Sequence, residues 1–333
     1  MPKPISLTST AAGLALAVVL GTAAARANDS TAEIGLGGLT LTKSDSIRMV
    51  SEDLRIAEQR IEVDYVFLNT SAQDIETLVA FPLPDYENVE KYADKQVPDY
   101  ETELDFKTTI DGKPAPLTLV QTATLKGTDI TAQLKALGLP VMPTYERLGK
   151  ALAGLSKEQR AELVKAGLLE DMNGDHSDPN GYLALWKVST AVTRRQTFPA
   201  GRSVTVSHSY KPYVGGSVGG RFDKSSRKES YFLEAKAKFC MDDQFMAGFD
   251  KRAKTGEATN YGEKWISYVL VSGANWSGPI GKFRMVVDKG APKNMVSFCE
   301  TGVKKISDTR FEVVHENFVP KRDVDVLIVE FTN

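Results

Sequence analysis

Ile61, Val63, Tyr65 and Phe67 place an apolar side chain at every second residue, and Asn69-Thr70-Ser71 ends the run. A period of two fits a strand with one buried face and does not fit a helix. Glu76 to Phe81 reads as a second strand, stopped by Pro82 and Pro84. Leu104, Phe106, Thr108 and Ile110 alternate into Asp111-Gly112, a strong hairpin signal, with a return through Leu117 and Leu119. Strands at such short spacing predict an antiparallel β-sandwich.

The period then changes. Thr128 to Leu137, Thr144 to Leu155 and the stretch after Ser156 carry helical spacing, and Ser156-x-x-Gln159 is a capping box. They predict a helical insertion over 128–182, separable from the β framework because a long loop costs little entropy. Strands resume at Leu183. Trp186, Val188, Thr190 and Val192 alternate, Phe198-Pro199-Ala200-Gly201 turns, and Val204, Val206, His208 and Tyr210 return. Gly215 to Gly220 is a Gly-rich boundary. Beyond it a helix is expected over Asp242 to Lys254, with strands at Trp265–Val271, Lys282–Asp288, Met295–Phe298, Phe311–His315 and Val324–Phe331. The fold class is thus mainly β (α+β): an antiparallel β-sandwich over 28–214 with a helical insertion, followed by a second β-rich unit over 215–333.

Residues 1–27 read as a signal peptide. Lys3 supplies a positive charge, Ala11 to Ala25 an apolar run, and Ala25-Arg26-Ala27 a small-x-small cleavage pattern before polar Asn28-Asp29-Ser30. The run is shorter than the roughly 20 residues that cross a bilayer. The expected mature chain begins at Asn28, has no membrane span, and sits in the periplasm, with full secretion as the alternative. In that oxidising compartment Cys240 and Cys299 are expected to form a disulfide.

Loss of Lys3 and Arg26 with the signal takes the formal charge from −2 to −4. Both signs are dispersed and no basic block exists to neutralise phosphates, so nucleic acid is not an expected partner. No sequence signal calls for a cofactor.

Chemical motifs are sparse. Asp171-x-Asn173-x-Asp175 has the opening spacing of a calcium loop, whose alternate oxygens converge on the ion, and Asp171, Asn173 and Asp175 are the candidate cation ligands. His176 stands where that loop's turn favours Gly, and Tyr182 where it needs a bidentate Glu. His176, His208 and His315 lie on separate elements without metal spacing. Ser225-x-x-Lys228 has no K-T-G or S-D-N partner, and Gly278-x-x-Gly281-Lys282 is too short for a phosphate loop. Asn275-Trp276-Ser277-Gly278-Pro279 stands out instead. A Trp between strands on a Pro-Gly turn offers a large contact area at low entropy cost, so Trp276 is the candidate anchor for a ligand or partner and Asn275 its hydrogen-bonding edge. The competing reading folds Trp276 back to plug the sandwich.

Several segments together resemble one family. They are Glu33-Ile34-Gly35-Leu36-Gly37-Gly38-Leu39, Tyr65-Val66-Phe67-Leu68-Asn69-Thr70-Ser71, Phe81-Pro82-Leu83-Pro84-Asp85, Ala274-Asn275-Trp276-Ser277-Gly278-Pro279-Ile280, Val296-Ser297-Phe298-Cys299 and Val303-Lys304-Lys305-Ile306-Ser307. In this order they look like a bacterial exported family known as a domain of unknown function (number 4424). That resemblance implies no activity and no site residues. The Tyr-x-Phe-x-Asn strand followed by Phe-Pro-Leu-Pro is also similar, more loosely, to the N-terminal sandwich domain of inter-alpha-trypsin inhibitor proteins, which bears on fold alone.

Two function classes follow. The first is a non-enzymatic binding or interaction module of the envelope, whose partner is an envelope protein or a small ligand. The second is a periplasmic hydrolase with a scattered carboxylate site, for which Asp171, Asp175 and Asp178 are the candidates.

Overall fold

The computed structural model describes residues 28–35, 38–87, 99–219, 221–256 and 260–332. Residues 1–27, which the sequence reads as a signal peptide, Leu36 and Gly37 of the first family-like segment, and Gly220 of the Gly-rich boundary lie outside the described residues.

The chain is β-rich, with three large sheets. The six-stranded sheet runs Gly38–Thr42, Ser30–Gly35, Ile75–Pro82, Lys187–Phe198, Thr118–Leu125, Thr128–Asp129. The eight-stranded sheet runs Lys304–Lys305, Arg310–Phe318, Ile280–Asp288, Ile47–Ile56, Ile61–Asn69, Ser203–Tyr210, Lys107–Ile110, Lys113–Pro114. The four-stranded sheet runs Val214–Ser217, Tyr261–Tyr268, Val324–Phe331, Met295–Phe298. Pairing is antiparallel except where Ile280–Asp288 lies parallel to Ile47–Ile56. Asp111 and Gly112 both take positive φ, 47° and 76°, the backbone that a two-residue hairpin requires.

The file of alternate residues read from the sequence is the inner face. Ile61, Val63, Tyr65 and Phe67 are buried in the main core with Val79 and Phe81 of the six-stranded sheet. Val326 and Ile328 join this core, while their neighbours Leu327, Val329 and Phe331 face a second cluster with Phe222, Phe232, Phe245 and Phe249. The four-stranded sheet is therefore a middle layer, covered on its outer side by helices Ser230–Lys238 and Asp243–Lys254.

Two features differ from the sequence reading. Strands from both sides of Gly215–Gly220 share the eight-stranded sheet, because Ile280–Asp288 adds to the open edge of Ile47–Ile56. The helices Thr131–Ala136, Tyr145–Ala153 and Lys157–Lys165 are also not a detachable layer. Leu134, Leu148, Leu152 and Leu163 are buried in the main core, and Trp186 Nε1 donates to the Val141 carbonyl at 2.8 Å. The capping box at Ser156 forms as expected, with Gln159 N donating to Ser156 Oγ and Ser156 N to Gln159 Oε1.

Cys240 and Cys299 are bonded, with Cα atoms 5.1 Å apart. The bridge ties the end of helix Ser230–Lys238 to the edge strand Met295–Phe298, beside the bond from Ser297 Oγ to the Phe239 carbonyl.

Candidate functional site

Two polar places stand out among the described residues, an open cleft and a buried centre. The cleft is about 310 Å³, at the low end of the ligand-pocket range. The turn after Ile56 contributes Glu58 and Gln59, the 99–104 segment contributes Asp99, Tyr100, Glu103 and Leu104, and the residues after Tyr210 contribute Lys211 to Val214. Lys211 N donates to the Leu104 carbonyl at 2.8 Å, which joins the last two walls. Arg147 holds Asp99 through two 3.1 Å bonds and Glu101 at 2.9 Å. Lys264 holds Glu58 at 2.6 Å. Glu103 and Lys211 are left: within 4.0 Å neither has an ion partner among the described residues. Burial pushes the Tyr213 hydroxyl up to about 12, so at neutral pH it is a phenol. Tyr100 is raised for the same reason and donates to the Pro84 carbonyl at 3.1 Å.

The buried centre is built on strand register. Glu52 pairs with Tyr65, and His208 lies opposite both Val63 and Thr108, so all point into the sandwich. Asn28 and Asp29 enter from the edge and are fully buried. Arg194 donates to both Asp29 oxygens, at 3.0 and 2.5 Å, and to Gln196 Oε1 through its Nε at 2.9 Å. His208 Nε2 lies 3.2 Å from Asp29 Oδ2 but out of line for a hydrogen bond, and its Nδ1 is 2.8 Å from Thr108 Oγ1. Burial alone would raise the Asp29 carboxyl. The Arg194 guanidinium outweighs it and holds the group well below the carboxylate range. Burial lowers His208, so the ring is neutral at pH 7 and Arg194 is the working counter-charge.

Glu52 has the opposite environment. Asn28 Nδ2 donates to one oxygen at 2.9 Å and the Tyr268 hydroxyl to the other at 3.3 Å, while Tyr65 and Tyr268 hydroxyls meet at 2.9 Å. Burial pushes Glu52 up to about 8, and those two bonds only partly oppose it. Asn28, Asp29, Glu52, Arg194 and His208 are all buried, so these groups bond to one another inside the fold.

The anchor proposed at Trp276 takes the competing position. Trp276 is 3% exposed, its ring lies 4.6 Å from Phe67 and 6.0 Å from Phe198, and its Nε1 donates to the Asp29 carbonyl at 2.5 Å. Asn275 is buried too and donates to Ser30 Oγ at 3.0 Å. The connection Val271–Asn275 coils as a short 3₁₀ turn over Asn28–Ser30, which is why this strand connection is not a surface loop.

The carboxylates after Leu169 are committed locally. Asp171 accepts from Asn173 N at 3.0 Å and His176 N at 2.8 Å, with His176 Nδ1 2.9 Å away. Asp175 accepts from Ser177, and Asp178 from Asn180 N. Asp171 and Asp175 are held below the ordinary range, Asp171 by backbone N–H groups against burial and Asp175 chiefly by Ser177. Neither suits a general acid, which must hold a proton near neutral pH. Asn173 Nδ2 crowds Gly181 at the loop's base, and His176 does take the left-handed turn, φ 57°, at the position where a calcium loop favours Gly.

Arg194 and Gln196 were legible in principle, because they continue the every-second-residue file of Val188, Thr190 and Val192. Asn28-Asp29 gave no such signal.

Together these features define a β-rich α+β protein with a buried ionic centre and a small polar cleft. The chain belongs to the family described as a domain of unknown function (DUF4424), which matches residues 27–327. A Legionella pneumophila protein described provisionally as nutrient binding is similar at 15% identity, covering 90% of this chain and 72% of its own, with a TM-score of 0.43. None of the curated proteins matches.

Proposed function

We propose that this protein is a non-enzymatic binding module of the bacterial envelope, exported to the periplasm, that takes a small zwitterionic ligand in the cleft between Glu58, Asp99–Leu104 and Lys211–Val214. One observation carries the reading. Within a cleft whose other charges are neutralised, Glu103 and Lys211 have no ion partner among the described residues and lie beside Tyr100, Tyr213 and Leu104. An ammonium and a carboxylate on one ligand would complement both, and the aromatic wall would bury its carbon skeleton. The hydrolase reading has less support, because Asp171, Asp175 and Asp178 are taken up by their own turns.

Calorimetric titration with free amino acids and short peptides such as triglycine tests this. Binding that weakens at least about tenfold in Lys211→Ala and in Glu103→Gln is the expected result, since each change removes one charge-assisted contact. Absence of binding across the set, or binding indifferent to both changes, removes the cleft from consideration.

A further inference from the structure

The buried centre contains two carboxylates and only one of them has a cation. Asp29 has Arg194. Glu52 is equally buried and faces Asn28, Tyr65 and Tyr268; its parallel neighbour in register is apolar Phe283. Among the described residues no Lys, Arg or His nitrogen reaches it, since Arg194 and His208 are both turned to Asp29.

Residue 28 adjoins this vacancy in charge. Its side-chain amide already touches Glu52 at 2.9 Å, and its backbone nitrogen is only four covalent bonds from that amide. Its Oδ1 is buried without a hydrogen-bond partner. Its carbonyl is fixed by Ser272 Oγ at 2.7 Å, and a Cβ on Gly273 would come within 2.6 Å of Asn28 Nδ2, so glycine there makes room for the residue. We propose that cleavage after Ala27 creates an α-ammonium on Asn28 that serves as the buried counter-charge of Glu52, so that proteolytic processing completes the interior of the mature protein. A peptide N–H offers one proton at this place. An ammonium offers three, enough for Glu52 and for the unpartnered Asn28 Oδ1.

The proposal rests on the export reading and is independent of the cleft. Its pH signature has a definite sign. In a chain still extended beyond Asn28, Glu52 is raised above its unfolded value of about 4.3. Stability present below that value is then lost as pH rises toward about 8. In the processed chain the ammonium offsets this loss across the neutral range.

Two purified chains decide it, one beginning at Asn28 and one retaining Ala27. The Asn28 chain is expected to melt several degrees higher at about pH 7.5, with the gap narrowing below about pH 4, as Glu52 takes up a proton and the pair is lost. The gap is also expected to vanish in Glu52→Gln. Equal melting at neutral pH, or a gap that survives Glu52→Gln, overturns the pairing. Should Glu52→Gln not fold, cyanate modification of the α-amino group gives the answer in the unsubstituted chain. Native protein modified much more slowly than denatured protein supports burial of the ammonium, and equal rates refute it. N-terminal sequencing of protein exported by a bacterial host reads the cleavage separately. A start other than Asn28 ends the maturation role, while the melting pair still reports whether an ammonium at residue 28 finds Glu52.

Discussion

The indole Nε1 of Trp276 donates to the backbone carbonyl of Asp29, joining residues 247 positions apart. The loop that the sequence marks as unusual is thus the clasp over the chain's first strand, and its neighbours Asn275 and Ser272 hold Ser30 and Asn28 in the same way.

Replacing Trp276 by Ala is expected to lower folding stability by about 3–5 kcal/mol, as for other large aromatic-to-Ala changes in cores. Thermal or urea melting measures it. A change that left the midpoint intact would return Trp276 to the surface role its sequence context suggests.

Asp29→Asn is expected to cost about 3–5 kcal/mol, because Arg194 is left buried without a counter-charge. The unsubstituted protein should show the corresponding acid limb. Asp29 is depressed in the folded state, so its contribution is present above the unfolded value of about 3.9 and is lost as pH falls below it. Comparing urea midpoints of the two proteins across that range should show a steeper acid loss in the unsubstituted chain.

Thiol alkylation of denatured, unreduced protein should label neither Cys240 nor Cys299, and reduction should expose both. Reduction is expected to lower stability by roughly 4 kcal/mol on the chain-entropy account of a loop this long. Full labelling without reductant would show that the bridge does not form.

Replacing residues 128–178 by a short Gly/Ser linker should abolish folding. Leu134, Leu148, Leu152 and Leu163 would leave the main core, and the Trp186 Nε1 donor would lose the Val141 carbonyl. A chain that still melted cooperatively would show the helices to be dispensable after all.

Ile61–Asn69, with its file of alternate apolar residues, was legible. Met295–Phe298 and Val324–Phe331, short apolar runs without strict alternation, were legible too and lie where the sequence reading placed them. Ile47–Ile56 was not, because an irregularity between Met49 and Ser51 shifts its register and breaks the alternation. The first strand, Ser30–Gly35, was missed for another reason. Asn28-Asp29-Ser30 is polar and follows a cleavage pattern, so it reads as solvated linker, and what buries it lies more than 160 residues away at Arg194. Long-range ionic partners leave no local periodic trace. The same holds for the cleft, whose walls meet only after the sheets are formed.

The parallel pairing of Ile280–Asp288 with Ile47–Ile56 sets an order of events. A strand made early keeps one edge bare until the last sixth of the polypeptide arrives, so the growing chain cannot close its largest sheet during synthesis. Such sequence-distant contacts slow folding. The sheet stays incomplete until the far end of the chain appears, and refolding of residues 28–278 alone should yield no cooperative melt.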